Sequence, residues 1–280
     1  MRMIRVSADS TCDLSPVLLE RFNIAITPLS ITVGDKVFKD AVDIRPEDIF
    51  RFVGEGKTCV TGAVNVYEYQ QHFQRLTANG HQVIHICLGS GFSSCYNHAV
   101  LAARDFPGVE VVDSKNLSTG SGHLVYEAAL MAADGTELPE IKRKLDELGS
   151  KIDASFIIDQ LDYLAKGGRC SAITAQGAKI LRLKPCIEVR DGAMIVGRKY
   201  RGVFEKALRL YVLDRLHDPS VLEPSRLFIT GAGCDPEVVT MVRSLVEEHA
   251  QFKEIIVTEA GCTISNHCGP NTLGILFKRL

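Results

Sequence analysis

The sequence lacks three features that would each indicate a different class of protein. No apolar run approaches the roughly 20 residues of a transmembrane helix, so we expect no membrane span. There is no dense run of lysine and arginine, and the formal net charge of −2 gives no basic surface for nucleic acid. No two cysteines are spaced C-x-x-C, so this redox and metal motif is missing.

The remaining composition is typical of a globular protein. The 280 residues suffice for one large domain or two ordinary ones, and a hydrophobic content of 46 % can form a sizeable core. There are nine cysteines, an odd number, and no signal peptide is recognisable. We therefore expect a soluble cytoplasmic protein whose reduced thiols mostly pack as small apolar side chains.

The order of the elements predicts an α/β protein with two lobes. Strand-like runs at 3–8, 83–88 and 109–112 are each followed by a loop and a helix, which predicts a doubly wound, mostly parallel sheet. After residue 154 hairpin signals take over, the strongest at Asp191-Gly192, so the second lobe should contain a mixed or antiparallel sheet. Helices are predicted at 204–216 and 236–249, and Ser15-Pro16 marks the start of a helix in the first lobe. We divide the chain into an N-terminal lobe, 1–154, and a C-terminal lobe, 155–280.

Three segments between these elements have weaker local patterns. Residues 24–33 are predicted to form one strand, which a hairpin joins to the next strand. Residues 58–64 are predicted to be a polar turn, and residues 261–271 a loop between the last two strands.

A Gly/Ser loop, residues 87–96, lies between a predicted strand and a predicted helix. The free N–H groups at the start of the helix and its dipole suit a small anion there. Ligands of open α/β sheets also bind at the carboxyl ends of strands. The hydroxyls of Ser90, Ser93 and Ser94 can add donors. Because the loop contains no lysine or arginine, it favours a single carboxylate over a polyphosphate.

Several characteristic segments follow one another along the chain. They are SADSTCDL at 7–14, TGAVNVYEY at 61–69, GSGFSSCY at 89–96, DSKNLSTG at 113–120, LDYLAKGGR at 161–169, KP at 184–185 with YRG at 200–202, and HCGPN at 267–271. In this order, and over nearly the whole chain, they resemble segments of one family, the DegV proteins. The resemblance implies two α/β lobes and a long-chain fatty acid in an apolar tunnel. It also implies the fatty-acid-binding subunit of a bacterial fatty acid kinase.

The resemblance further implies roles for particular residues. It assigns the fatty-acid carboxylate to Thr61, Ser93 and His267. The other ligand-loop residues are Ser90, Gly91, Phe92 and Ser94. Arg201 is assigned to the incoming phosphate or to the partner, an ATP-dependent kinase subunit that would make the acyl phosphate. No catalytic residue, metal ligand or cofactor other than the bound fatty acid is implied for this chain.

The sequence departs from the family pattern at three places. Gly62-Ala63-Val64 stands where the family usually has S-Q-P. Ser94-Cys95 replaces G-T after Ser93, and Asn271 replaces the second glycine of H-x-G-P-G. These departures concern the backbone near the carboxylate and leave the three proposed contacts in place.

The residues alone leave simpler roles open. Ser93 could be a helix N-cap and Thr61 an ordinary turn residue. His267 could be structural, or it could form a thiol or metal site with Cys262 and Cys268. The acidic residues of 7–14 could only cap turns, and the segment 167–169 could be a tight turn or bind an anion.

Two enzymatic functions compete with a lipid carrier. A nucleotide-dependent enzyme could use the Gly89-x-Gly91 pair, although the third glycine of the dinucleotide fingerprint is missing. A serine hydrolase could use the Gly/Ser loop, although residues 89–93 do not read as G-x-S-x-G and no acid–base partner can be assigned.

Overall fold

The computed structural model describes residues 3–169 and 183–280. The strands of these residues are β1 (Ile4–Asp9), β2 (Ala25–Thr27), β3 (Ser30–Val33), β4 (Lys36–Lys39), β5 (Cys59–Gly62), β6 (Gln82–Cys87), β7 (Val109–Asp113), β8 (Ile152–Ile158), β9 (Leu183–Arg190), β10 (Ala193–Arg201), β11 (Leu222–Ala232), β12 (Glu254–Glu259) and β13 (Thr272–Arg279). The α-helices are α1 (Pro16–Arg21), α2 (Pro46–Gly54), α3 (Val66–Thr77), α4 (Cys95–Ala103), α5 (Thr119–Ala133), α6 (Leu138–Leu148), α7 (Leu161–Gly167), α8 (Phe204–Leu216), α9 (Pro236–His249) and α10 (Cys262–Cys268).

Two large sheets confirm the predicted fold class. The first has the order β2-β1-β6-β7, and all its strands are parallel. The second has the order β10-β9-β8-β13-β11-β12. Its β11–β12 pair is parallel and its other pairs are antiparallel. The chain is thus an α/β protein with one parallel and one mixed sheet.

Helix α5 joins the two sheets. Ten of its fifteen residues are buried, because the helix contacts β1 and β6 of the first sheet and β8 and β13 of the second. On the far face of the second sheet, α8 and α9 cover a separate apolar cluster. The predicted boundary at residue 154 falls within β8 and remains a prediction.

A third, small sheet contains the predicted hairpin, here β3–β4, and adds a strand that was not predicted, β5. Strands β4, β3 and β5 form it, all antiparallel. The prediction of a single strand at 24–33 is wrong, since Pro28 and Leu29 interrupt the strand. Its first part, β2, joins the parallel sheet, and its second part, β3, joins the small sheet.

Two predictions of irregular structure are also wrong. Residues 59–62 form β5 within the predicted turn, because they pair with β3 and place Thr61 opposite the buried Ile31. Residues 262–268 form α10 within the predicted loop. In both cases the stabilising partners are distant in sequence, so the local pattern does not show them. Among the residues described, no helix is long and apolar enough to cross a bilayer.

Candidate functional site

The three residues assigned to a carboxylate line one cavity. Thr61 lies on β5, Ser93 precedes α4, and His267 lies in the last turn of α10. The cavity has a volume of about 190 Å³. All three side chains are half-buried. The fold therefore brings together residues as much as 206 positions apart in the chain.

The remaining wall of the cavity is mostly apolar. Leu88 and Leu117 follow β6 and β7, so the cavity lies at the carboxyl edge of the parallel sheet, where such sheets bind ligands. The mixed sheet contributes Phe156 and Met194. The other apolar lining residues are Leu29, Ala63, Phe92, Leu164, Ile264 and Cys268. This lining suits a hydrocarbon ligand.

A second, outer pocket adjoins the polar side of this cavity. It has a volume of about 280 Å³, and it shares Thr61, Arg169 and His267 with the apolar cavity. Lys57 and Lys166 also line it, and no carboxylate does so among the residues described. Thr61 and His267 therefore stand between an apolar space and a cationic one.

A hydrogen bond joins Thr61 and His267. Thr61 Oγ1 lies 2.9 Å from His267 Nε2. Burial, together with the charge of Arg169, lowers the pKa of His267 to about 4, so the ring is neutral at pH 7. If Nε2–H donates to Thr61, the hydroxyl proton of Thr61 is available for a ligand oxygen. The pair is thus suited to bind an anion through Thr61.

Helix α7 holds the imidazole of His267 in place. A Cβ on Gly167 would overlap His267 Nδ1, so only glycine permits this contact. Tyr163 also lies on α7, and a Cβ on Gly269 would overlap its ring. Two glycines thus allow α7 to pack directly against the His267 segment.

The Gly167 contact gives a direct test of this positioning. In Gly167→Ala the methyl group should displace the imidazole, break its bond to Thr61 and cost about 1–3 kcal/mol of unfolding free energy. Gly54→Ala is the matched control, because Gly54 also ends a helix and has no atom within 4 Å of an added Cβ. Urea denaturation and oleate titration measure both effects. Equal results for the two variants would contradict the positioning role.

The side chains of two buried aspartates cap α10 and so fix the position of His267. Asp13 accepts the N–H of Gly261 at 2.9 Å. Asp40 accepts those of Cys262, at 2.9 Å, and Thr263, at 3.2 Å. Burial raises the pKa of Asp13 to about 8 against the opposing effect of its hydrogen bonds. Asp13 thus has a structural role, which is one of the roles that the sequence left open for the acidic residues of 7–14.

The N-cap of α4 is Ser94, so the interpretation of Ser93 as the N-cap is wrong, and its contact with a ligand remains a prediction. The Oγ of Ser93 accepts the N–H of Cys95 at 3.3 Å and donates to Cys95 Sγ at 3.2 Å, so it supports the first turn of α4. It also lines the cavity. The imidazole of His267 bonds Thr61 and not Ser93, so Ser93 and His267 do not form a Ser–His pair.

The other ligand-loop residues divide into two groups. Phe92 and Ser94 line the cavity, whereas Ser90 and Gly91 do not. Ser90 is bound to Asp113 through both its N–H and its hydroxyl. Gly91 permits a close contact, since a Cβ there would overlap the carbonyl oxygen of Gly192.

Two cationic side chains have positions that the sequence did not settle. Arg201, the last residue of β10, is exposed and does not line the cavity. Arg169 does line it, and its guanidinium donates to the carbonyl of Gly167 at 2.8 Å. The local sequence gave Arg169 a turn role or an anion role, and only the fold places it beside His267.

Thr263 is a functional candidate that sequence reasoning missed. It lines the cavity, and its hydroxyl is buried without a hydrogen-bond partner among the described residues. No motif marked it. Its neighbour Cys262 and the nearby Cys268 do not group with His267 as metal ligands within the part of the chain described.

A group with metal-compatible spacing lies elsewhere, in the core. The ligand atoms of Asp9, His85 and Cys87 lie within 4.8 Å of one another. Both nitrogens of His85 are already engaged, by Ser7 at 2.9 Å and by Asp9 at 3.3 Å. Asp9 also accepts the hydroxyl of Tyr69 at 2.6 Å. Since Ser7 and His85 are fully buried, this Ser–His–Asp chain is a structural network that a substrate cannot reach.

Comparison with known proteins matches nearly the whole chain to one family. The model of the DegV family, described as uncharacterised proteins, matches residues 3–279. A DegV domain-containing protein of Caldanaerobacter subterraneus is 31 % identical over 280 residues, which cover 99 % of each chain.

Solved structures share the fold over the full chain. A DegV family protein from Thermus thermophilus, described as fatty acid binding, has a TM-score of 0.90 and 27 % identity, with 100 % of each chain covered. A stearic-acid-binding protein from Eubacterium ventriosum has a TM-score of 0.84 and 26 % identity, with 99 % of this chain and 98 % of the other covered.

Proposed function

This chain belongs to the DegV family, and we propose that it binds a long-chain fatty acid. The acyl chain lies in the apolar cavity, and the carboxylate is held by Thr61, Ser93 and His267, with His267 acting through the hydroxyl of Thr61. The observation that carries the proposal is the Thr61–His267 hydrogen bond at the boundary between the apolar cavity and the cationic outer pocket. Fatty acids bound by relatives of the same fold support it.

The chemistry of the lining matches both ends of such a ligand. Each methylene group transferred from water to an apolar wall contributes about 0.8 kcal/mol. Each hydrogen bond to a carboxylate contributes about 1.5–3 kcal/mol. Thr61 and Ser93 can donate hydroxyl protons, and the neutral His267 orients the hydroxyl of Thr61.

The acyl chain needs more room than the cavity itself provides. Its volume of about 190 Å³ is below the roughly 300–1,000 Å³ of most ligand pockets. A second apolar space of about 30 Å³ adjoins it and shares four lining residues with it, namely Leu117, Phe156, Ile264 and Cys268. We propose that the tail extends into this second space when these side chains move apart.

The shared wall gives a prediction about chain length. Ile264→Phe adds volume where the two spaces meet, so it should shift the preference toward shorter fatty acids. We expect about a 10-fold loss of affinity for oleate and a smaller loss for decanoate. Ile195→Phe is the matched control, because Ile195 is also half-buried and lines neither space. An equal loss for both fatty acids would contradict this tail path.

The outer pocket supports presentation of the carboxylate to a separate protein. Lys57, Lys166 and Arg169 surround an opening that reaches Thr61 and His267 from outside. We propose that an ATP-dependent kinase subunit docks there. A carboxylate oxygen attacks the γ-phosphorus of ATP, the bond to ADP breaks, and an acyl phosphate forms. The exposed Arg201 contacts the partner or the phosphate, and this chain acts in the cytoplasm as a carrier without catalysis of its own.

A titration with and without the carboxylate tests the binding proposal. Delipidated protein should bind oleate one to one in calorimetry. Methyl oleate, which cannot offer a carboxylate, should bind about 100-fold more weakly, because about 3 kcal/mol of charged hydrogen bonds is lost. Equal affinity would contradict the carboxylate site, and no binding of either lipid would contradict the fatty-acid proposal.

A further inference from the structure

A polar cleft lies at the tip of the β9–β10 hairpin, apart from the fatty-acid cavity. Its volume is about 550 Å³, within the usual range of small-molecule sites. The loop after β7, the segment after α6, the start of β8, and the ends of β9, α8 and β13 form its walls. It shares no lining residue with the cavity that contains Thr61. It is therefore a second, separate space.

Charged side chains from several elements converge on this cleft. The cations are Lys115, Arg190, Arg215 and Arg279. The carboxylates are Asp153, Glu188 and Asp191. Four positive charges thus face three negative ones, although the chain as a whole carries a net charge of −2.

Two of the carboxylates are shared among three arginines. Asp153 pairs with both Arg215 and Arg279. Glu188 pairs with Arg215 at 3.3 Å and with Arg190 at 2.9 Å. Because a guanidinium has five N–H donors and a carboxylate about four acceptor positions, this sharing leaves donors without acceptors.

Two further donors in the cleft have no partner among the residues that the structure describes. Arg215 Nε is buried and has no hydrogen-bond partner among the described residues. The amine of Lys115 forms no ion pair within residues 3–169 and 183–280, and this residue lies beside Gly192 at the hairpin tip. The cleft thus has more donors than its own carboxylates use.

Of the three arginines in the cleft, one is largely buried and two are exposed to solvent. The side chain of Arg215 is 15 % exposed and is fixed by its ion pairs. Those of Arg190 and Arg279 are 65 % and 44 % exposed, so they can turn toward a ligand. A buried cation with exposed cations around it can surround a multivalent anion.

We propose that this cleft binds a phosphate-bearing small molecule. Phosphate oxygens accept the paired N–H groups of a guanidinium in a bidentate manner, and a phosphate carries enough charge to engage several cations together. Arg190, Arg279 and Lys115 bind the phosphate oxygens, and Arg215 orders the cleft around them. The ligand class follows from the excess of donors and from the size of the opening.

Calorimetric titration with inorganic pyrophosphate tests the site, at a constant ionic strength of about 0.15 M. The parent protein should bind one pyrophosphate in the cleft. Arg190→Gln/Arg279→Gln should lower the affinity at least about 10-fold. Lys115→Gln, which breaks no ion pair among the described residues, should lower it about 3-fold.

The controls separate a built site from general charge attraction. Arg104→Gln/Arg243→Gln removes the same charge from residues that do not line the cleft, and it should leave the affinity unchanged. No binding to the parent at about 1 mM pyrophosphate, or an equal loss in the control, would overturn the proposal. The titration contains no fatty acid, so its outcome does not depend on the proposed lipid function.

Discussion

Thr61→Ala and His267→Ala should each lower the affinity for oleate about 30-fold, and the double variant should lose hardly more than either single one. Each single substitution removes a hydrogen bond of about 2 kcal/mol to a charged ligand. Because His267 acts through the hydroxyl of Thr61, removing either residue removes the same interaction. Calorimetric titration of the three proteins measures this coupling.

Ser93→Ala supplies the contrasting case. Its hydroxyl lines the cavity but bonds Cys95, so its loss should add to that of Thr61→Ala. Thr136→Ala, Ser244→Ala and His81→Ala are matched controls outside the cavity and should bind oleate like the parent. Additive losses for Thr61 and His267, or no loss in either variant, would contradict the paired arrangement.

Asp40→Ala should lower the free energy of unfolding by about 3–5 kcal/mol. Asp40 is 1 % exposed and accepts hydrogen bonds from the N–H groups of Cys262 and Thr263 and from the hydroxyl of Ser10. Alanine leaves these buried donors without an acceptor, at about 1–3 kcal/mol each. Urea denaturation measures the change.

A surface carboxylate provides the control for this prediction. Asp105 is exposed and its carboxylate accepts only from the side chain of Gln70 among the described residues, so Asp105→Ala should change the free energy by about 0.5 kcal/mol or less. Asp40→Asn keeps one acceptor oxygen and should fall between the two. If Asp40→Ala were as stable as Asp105→Ala, the carboxylate cap would not hold α10 in place.

Elements with a strong local pattern were predictable from the sequence. Helices α8 and α9 have the predicted bounds, 204–216 and 236–249. Helix α1 begins as its Ser15-Pro16 signal indicates, with Ser15 accepting the N–H of Leu18. The Asp191-Gly192 hairpin is confirmed, since both residues have the positive φ that its turn requires.

The elements that carry Thr61 and His267 were not predictable in this way. Strand β5 depends on its pairing with β3, and α10 depends on the side chains of Asp13 and Asp40. Those partners are far away in the sequence, so the local pattern indicated a turn and a loop. The family resemblance identified the residues, whereas their secondary structure depends on tertiary contacts.

The cavity was beyond sequence reasoning for a related reason. Its apolar lining residues have the same composition as any buried core, so no pattern distinguishes a ligand space from a packed interior. The contact between Gly167 and His267 likewise depends on the approach of two separate helices. Such features follow from packing and become visible only in three dimensions.

Native mass spectrometry of the purified protein, followed by extraction of any released molecule, tests the central claim most directly. We predict a one-to-one adduct that extracts as a long-chain fatty acid and that is reduced in the Thr61→Ala/His267→Ala variant. A ligand-free mass, together with no uptake of added palmitate or oleate, would contradict the claim.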